Sequence, residues 1–176
     1  MQTEAQGWGP EFFDAFRKGE EQAFDRLFRA FYAPLTFFAF KYVRDESVAE
    51  DIVQDCFAKL WQRRKKLAKV DAIHSYLYRC VYNLCIDWQQ KKKKHSLIAP
   101  LPESFDPADI VESETLARII QVIDLLPQRM KQVVRMHYLE NQSLEEIGRV
   151  IGIDAETVRS HRYRAIQFIR KTIITG

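Results

Sequence analysis

The sequence predicts an all-α protein built from two small helical domains joined by a flexible linker. Three observations carry that expectation. Apolar residues recur at helical spacing toward both ends of the chain, and no segment shows sustained period-two alternation with turn signals. Between the two helical regions, Pro100, Pro102 and Pro107 fall close together, where prolines and the residues before them resist helix. Toward the C-terminus, a capped helix, a glycine and a longer basic helix follow in helix-turn-helix order. The domains are expected at residues 10–90 and 112–174, with the linker at 91–111. A length of 176 residues accommodates two small domains, and 47% apolar residues exclude wholesale disorder and a collagen-like fibre.

In the first domain, Phe12, Phe13 and Phe16, then Phe24, Leu27, Phe28, Phe31 and Tyr32, recur at helical spacing. Pro34 should kink or restart that helix before residues 35–43 continue it. Ser47-Val48-Ala49-Glu50 has the form of a capping box, and the helix behind it carries Ile52, Val53, Cys56, Phe57, Leu60 and Trp61 on one face. A basic loop spans residues 63–69. The next helix places Ile73, Tyr76, Leu77, Cys80, Val81, Leu84, Cys85 and Trp88 in a stripe. In the second domain, residues 116–126 form a helix ended by Pro127, which can open the next one, running to about Tyr138. Ser143-Leu144-Glu145-Glu146 caps a short helix, Gly152 makes the turn, and Asp154 caps the last helix, through Thr172. Its exposed N-terminal face would carry Thr157, Arg159, Ser160, His161 and Arg164.

Charge placement says more than the net charge of +3. Residues 10–88 are balanced, with 13 basic and 12 acidic side chains. Lys91, Lys92, Lys93 and Lys94 then form an unbroken run. Over residues 97–112 the sign flips, with Glu103, Asp106, Asp109 and Glu112 lacking a basic neighbour. The last helix is basic again. Two basic surfaces separated by an acidic stretch suggest two contact points on a polyanion.

Other function classes find little support. No apolar run approaches the roughly 20 residues that a spanning helix needs. The polar start lacks the basic-then-apolar pattern of a signal peptide. Cys56, Cys80 and Cys85 show no CxxC spacing, which argues against a disulfide framework or zinc site and for a reducing, cytoplasmic setting. There is no glycine-rich phosphate loop and no GxSxG, and His74, His95, His137 and His161 are scattered, so neither an enzyme nor a metal or cofactor site is expected. The polar face of Glu50, Asp51, Gln54 and Asp55 reads either as a solvated helix face or as a protein-docking surface. The lysine run suits a solvated helix end as well as a nucleic acid. Tyr76, Tyr78, Tyr82 and Trp88 lie near basic loops, where unpaired bases could stack, although core packing accounts for them more simply.

At this point the residues resemble a known family. Ala49-Glu50-Asp51-Ile52-Val53-Gln54-Asp55-Cys56-Phe57-Ala58-Lys59-Leu60-Trp61 is similar to the region-2 helix of bacterial sigma factors. Ser75-Tyr76-Leu77-Tyr78-Arg79, with Asn83 and Asp87, resembles the helix after it. Leu126 and Pro127 through Tyr138, followed by residues 143–169, resemble region 4. The likeness covers about residues 12–173, and the two-domain form is that of the compact extracytoplasmic-function (ECF) group. The resemblance implies a transcription initiation factor, monomeric when free, that binds core RNA polymerase at the β′ clamp and the β flap and directs it to promoters. It also leaves room for an anti-sigma inhibitor. It assigns Asp51, Gln54 and Asp55 to polymerase, and Lys65, Lys66, His74, Ser75, Tyr76, Arg79 and Asn83 to the −10 element. The −35 element falls to Thr157, Arg159, Ser160, His161 and Arg164. Trp88-Gln89-Gln90 departs from the family, where an aromatic followed by arginine is common. The alternative is a conventional helix-turn-helix regulator with an N-terminal sensing or dimerising domain.

Overall fold

The computed structural model describes residues 8–67, 69, 71–93 and 104–175. Lys94, His95, Pro100, Pro102 and Glu103, and with them most of the expected linker, lie outside those residues. Among the described residues the structure is helical and has no strand. The chain divides into two compact units, Met1–Glu114 and Thr115–Gly176.

The first unit holds α1 (Pro10–Lys18), α2 (Glu21–Val43), α3 (Glu46–Arg63) and α4 (Asp71–Lys93), with a 3₁₀ turn at Arg64–Lys66. Pro10 opens α1, where its missing N–H costs nothing. Gly19 closes that helix at a φ of 91°, a left-handed conformation in which its N–H reaches the Ala15 and Phe16 carbonyls. α2 packs on both α3 and α4, and α3 on α4. Phe16, Leu27, Phe38, Phe57, Leu77 and Tyr78 are fully buried where these helices meet. Each such side chain contributes about 1.5–3 kcal/mol through removal from water.

Two local expectations for this unit need correction. Pro34 does not restart the helix: α2 passes through it. The proline is itself buried, and Thr36 Oγ1 donates to the Tyr32 carbonyl one turn earlier (2.8 Å). Packing on both sides holds the helix together across the missing N–H. Ser47 is not a cap either. Asp45 is the N-cap, with Oδ1 accepting from the Val48 N–H (3.1 Å), so α3 starts earlier than the capping-box pattern implies.

Helix also occupies both ends of the stretch expected to be linker. α4 runs on to Lys93, and α5 (Pro107–Asp124) begins nine residues ahead of its expected start at Leu116. Asp106 explains the early start: its Oδ1 accepts from the Ala108 N–H (2.8 Å), and Pro107 takes the first helical position that suits it.

The second unit contains the remainder of α5, then α6 (Gln128–Tyr138), α7 (Leu144–Ile151) and α8 (Ala155–Thr175). Pro127 is the N-cap of α6, one position before the expected one. Ser143 and Glu146 form the reciprocal capping box of α7, and Gly152 ends it at a φ of 73°. Val133, Ile147 and Val158 bury one small core; Leu126, Val134 and Ala165 bury another. Gly148 is indispensable in a way its sequence did not announce. A Cβ there would lie 2.6 Å from the Ile153 carbonyl oxygen, so only glycine lets α7 meet the turn into α8 this closely.

Candidate nucleic-acid interface

α3 presents opposite faces to core and solvent. Ile52, Val53, Cys56, Phe57 and Leu60 are buried, while Asp51, Gln54 and Asp55 are exposed together, as their helical spacing dictates. Gln54 also hydrogen-bonds the Tyr32 hydroxyl on α2. An apolar groove adjoins this face, lined by Phe24, Phe28, Phe57, Ala58 and Trp61 with Gln54 at its edge.

The basic residues after α3 take different parts. Arg64 is structural: its guanidinium lies over the Trp61 ring at 4.3 Å, donates to the Trp61 carbonyl (2.8 Å) and packs against Gly19. Lys65 and Lys66 are exposed on the 3₁₀ turn, anchored by Arg17 donating to the Lys65 carbonyl. On α4, Ser75, Arg79 and Asn83 follow at intervals of four and are all exposed, forming one open polar stripe. Tyr76 is half-buried instead, packed against the core. Burial, together with the neighbouring Cys80 thiol, pushes its pKa up to about 12. Cys80 in turn hydrogen-bonds Cys56, a contact that lowers the Cys80 pKa against the opposing effect of burial. Tyr78 and Tyr82 are core residues, and Lys92 caps the half-buried Trp88 ring at 4.6 Å.

His74 stands on a second stripe of α4, and that stripe is covered. Its Nε2 lies 2.8 Å from Glu114 Oε1, which also accepts from the Tyr78 hydroxyl (3.1 Å). The His74 contact lowers the Glu114 carboxyl, with burial opposing it and the Tyr78 bond assisting. Asp109 accepts from the Tyr42 hydroxyl and from Lys41 Nζ (2.6 Å), and Glu112 pairs with the same ammonium (2.6 Å). Burial raises the Asp109 pKa, but Lys41 and Tyr42 outweigh it and hold the carboxyl below its ordinary value. The seven residues expected on the −10 element therefore separate: Lys65, Lys66, Ser75, Arg79 and Asn83 are open, His74 is occupied, and Tyr76 is half-buried.

In the second unit, Asp154 caps α8. Its carboxylate accepts from the Thr157 N–H (2.8 Å) and the Thr157 hydroxyl (2.7 Å), and these bonds lower its pKa. Arg159 and Arg164 are exposed, Arg159 paired with Glu156 one turn back. Ser160 and His161 are half-buried, and His161 Nδ1 is enclosed without a hydrogen-bond partner. Two further residues of this helix were not among the expected −35 contacts. Tyr163 is 65% exposed, one turn beyond Arg159; an aromatic at i+4 from an arginine in a basic helix is the signal that could have found it. Arg162 donates to His137 Nε2 (3.1 Å), while His137 Nδ1 lies 2.9 Å from the Gln142 carbonyl. That pairing assigns the proton to Nδ1 and makes Arg162 a strut between α8 and α6.

Residues 27–95 match the Sigma-70 region 2 family, and residues 116–169 match Sigma-70 region 4. The ECF RNA polymerase sigma factor SigM of Mycobacterium tuberculosis is 28% identical over 88% of this chain and 79% of its own. RNA polymerase sigma factor SigV of Bacillus subtilis is 27% identical over 75% of this chain and 80% of its own. The probable RNA polymerase sigma factor RfaY of Xanthomonas campestris pv. campestris is 25% identical over 89% of this chain, which spans 42% of that longer protein.

Proposed function

The chain belongs to the sigma-70 family of RNA polymerase sigma factors, in its ECF group, and from that premise we propose that Asp51, Gln54 and Asp55 dock on the β′ clamp of core polymerase while two separate faces engage the promoter. The family's role is to direct polymerase to promoters. What supports this division of labour is the pairing, in one chain, of an exposed carboxylate face on α3 with a helix-turn-helix whose last helix points arginines outward. No described helix is long and apolar enough to cross a membrane.

The −10 element would meet Lys65 and Lys66 on the turn and Ser75, Arg79 and Asn83 along α4, where cations hold backbone phosphates and polar side chains reach exposed base edges. His74 could join them only after releasing Glu114, and Tyr76, half-buried against the core, leaves part of its ring beside them. In the −35 element, Arg159 and Arg164 suit bidentate contact with guanine or a grip on phosphate. Thr157 and Ser160 flank them. His161 is better suited to fixing the helix than to touching a base, because half of it is enclosed.

The test is Asp51→Ala/Gln54→Ala/Asp55→Ala. A solvated face tolerates such changes within about half a kcal/mol of stability, whereas truncating one side of a buried interfacial charge pair costs several kcal/mol of binding. The triple variant is expected to lose no more than about 1 kcal/mol, the worth of the Gln54–Tyr32 hydrogen bond, and to stay folded, yet fail to pull down core polymerase or support transcription in vitro. Undiminished polymerase binding would sink the docking assignment.

A further inference from the structure

The acidic segment ahead of Thr115 was expected as the end of a linker and the start of the second domain, but within the first unit it makes a specific set of contacts. Asp109 is held by Lys41 (2.6 Å) and the Tyr42 hydroxyl, Glu112 by Lys41 (2.6 Å), and Glu114 by His74 (2.8 Å) and Tyr78 (3.1 Å). Ahead of them, the Phe105 ring stands edge-on to Phe38 and Tyr82, with centroids at 5.5 and 5.4 Å. Three anions and one planar ring thus lie in sequence along a face built from Lys41, the His74 imidazole, phenols and aromatic rings.

We propose that this face of α2 and α4, centred on Lys41, Tyr42 and His74, is a binding site for single-stranded DNA, and that residues 105–114 occupy it in the free protein as an internal competitor. The carboxylates take the places of phosphates, and Phe105 takes the place of a stacked base. The proposal rests on the −10 element contacts proposed above for α4.

The chemistry of the contacts favours exchange over permanent bracing. Lys41 is 37% exposed and Glu112 is 59% exposed, and an ion pair this open to water adds little to folding; Asp109, at 14%, is the more enclosed partner. The apolar anchors of the segment are slight: Phe105 and Ile110 are only partly buried against the core, and Val111 is exposed. Single-stranded DNA offers Lys41 and His74 the same kind of partner several times over, with release of condensed counterions as an added drive. Stacking on Tyr82 and Phe38 would replace the edge-on contacts of Phe105. Neither Lys41 nor Tyr42 carries any sequence signal for this role, because both sit on α2, far in sequence from the basic loop and from α4.

The test compares full-length wild type with Asp109→Asn/Glu112→Gln/Glu114→Gln for binding to a fluorescent 20-mer of thymidine at low salt. A control of equal net charge, Glu11→Gln/Asp14→Asn/Glu145→Gln, separates release of the site from general electrostatics. The neutralised segment is expected to raise oligonucleotide affinity at least fivefold, the control less than twofold. Adding Lys41→Gln to the neutralised variant should return affinity to the wild-type level. In wild type, hydrogen exchange at residues 107–114 should accelerate when the oligonucleotide saturates. Equal or undetectable binding by wild type and the neutralised variant, or protection at 107–114 that persists at saturation, overturns the proposal. Transcription by wild type with core polymerase reports separately on the promoter reading: its loss sinks that reading, whereas intact transcription with unchanged oligonucleotide affinity sinks only the competitor.

Discussion

The arginines of this chain take different parts according to what each touches: outward on α8, stacked on Trp61, or bridging to His137. Arg159 and Arg164 were legible because a capped amphipathic helix has a predictable outer face. Arg64 and Arg162 look the same in sequence, yet one is stacked on Trp61 and the other is a strut to His137. Their roles are set by partners whose positions only the fold supplies. Gly148 makes the point most sharply. In an isolated helix, alanine would be favoured over glycine there by about 1 kcal/mol. Here the added Cβ meets a backbone oxygen at 2.6 Å, and a carbonyl inside a tight turn cannot move aside as a flexible side chain would. Gly148→Ala is therefore expected to destabilise the second unit by about 1–3 kcal/mol, the range for overpacking. Urea unfolding followed by circular dichroism checks this; an unchanged or raised midpoint would falsify the close approach. Gly152→Ala, strained by its φ of 73° but with open space around it, should cost less.

Whole elements were legible in type but not always in extent. Helix after helix followed its apolar period, and Ser143, Asp154 and Gly152 punctuated the helix-turn-helix where expected. The start of α3 was misplaced because Ser47 and Glu50 fit a capping pattern that Asp45 pre-empts. Asp45→Ala should cost about 1 kcal/mol, as lost N-caps do, and Ser47→Ala close to nothing; matching losses from both would restore the capping box. The first turns of α5 were hidden for a different reason. An acidic, proline-rich run reads as linker by itself, and its partners Lys41, Tyr42, His74 and Tyr78 lie 36 to 71 residues away. Acid should undo this docking. Asp109 and Glu114 are both held below their ordinary values, so the folded state binds their protons less readily than the unfolded chain does. Their contribution is complete above the ordinary carboxylate range of about 4 and is lost as the pH falls through the lowered values beneath it. Side-chain carboxyl resonances of both residues followed by NMR should stay constant from neutral pH down to about pH 5 and titrate at pH values below the ordinary range. Lys41→Gln should move the Asp109 midpoint upward. A wild-type midpoint at or above the ordinary value would remove the pairing.

At the scale of the molecule, promoter recognition demands reach as well as contact. Two elements about two helical turns apart on B-DNA are separated by roughly 70 Å. The connection from Lys93 to Thr115 contains 21 intervening residues, which extend to roughly 70 Å at most. Removing residues 94–103 subtracts roughly 30 Å, and even with residues 105–114 released the remainder reaches only about 40 Å. Docking and spanning thus compete for the same stretch of chain. Deleting residues 94–103 is expected to leave polymerase pull-down intact, because the α3 face is untouched. It should also preserve binding to a duplex carrying the −35 element alone. Transcription from a promoter that needs both elements should fall at least tenfold, since the second contact no longer benefits from the high effective concentration that a tether of sufficient length provides. Replacing the same ten residues with glycine and serine should restore it, separating length from sequence. In vitro transcription of the three proteins on one template decides the matter: full activity from the deletion shows that the two elements are not bridged by this connection, and failure of the glycine-serine version shows that residues 94–103 act through their side chains.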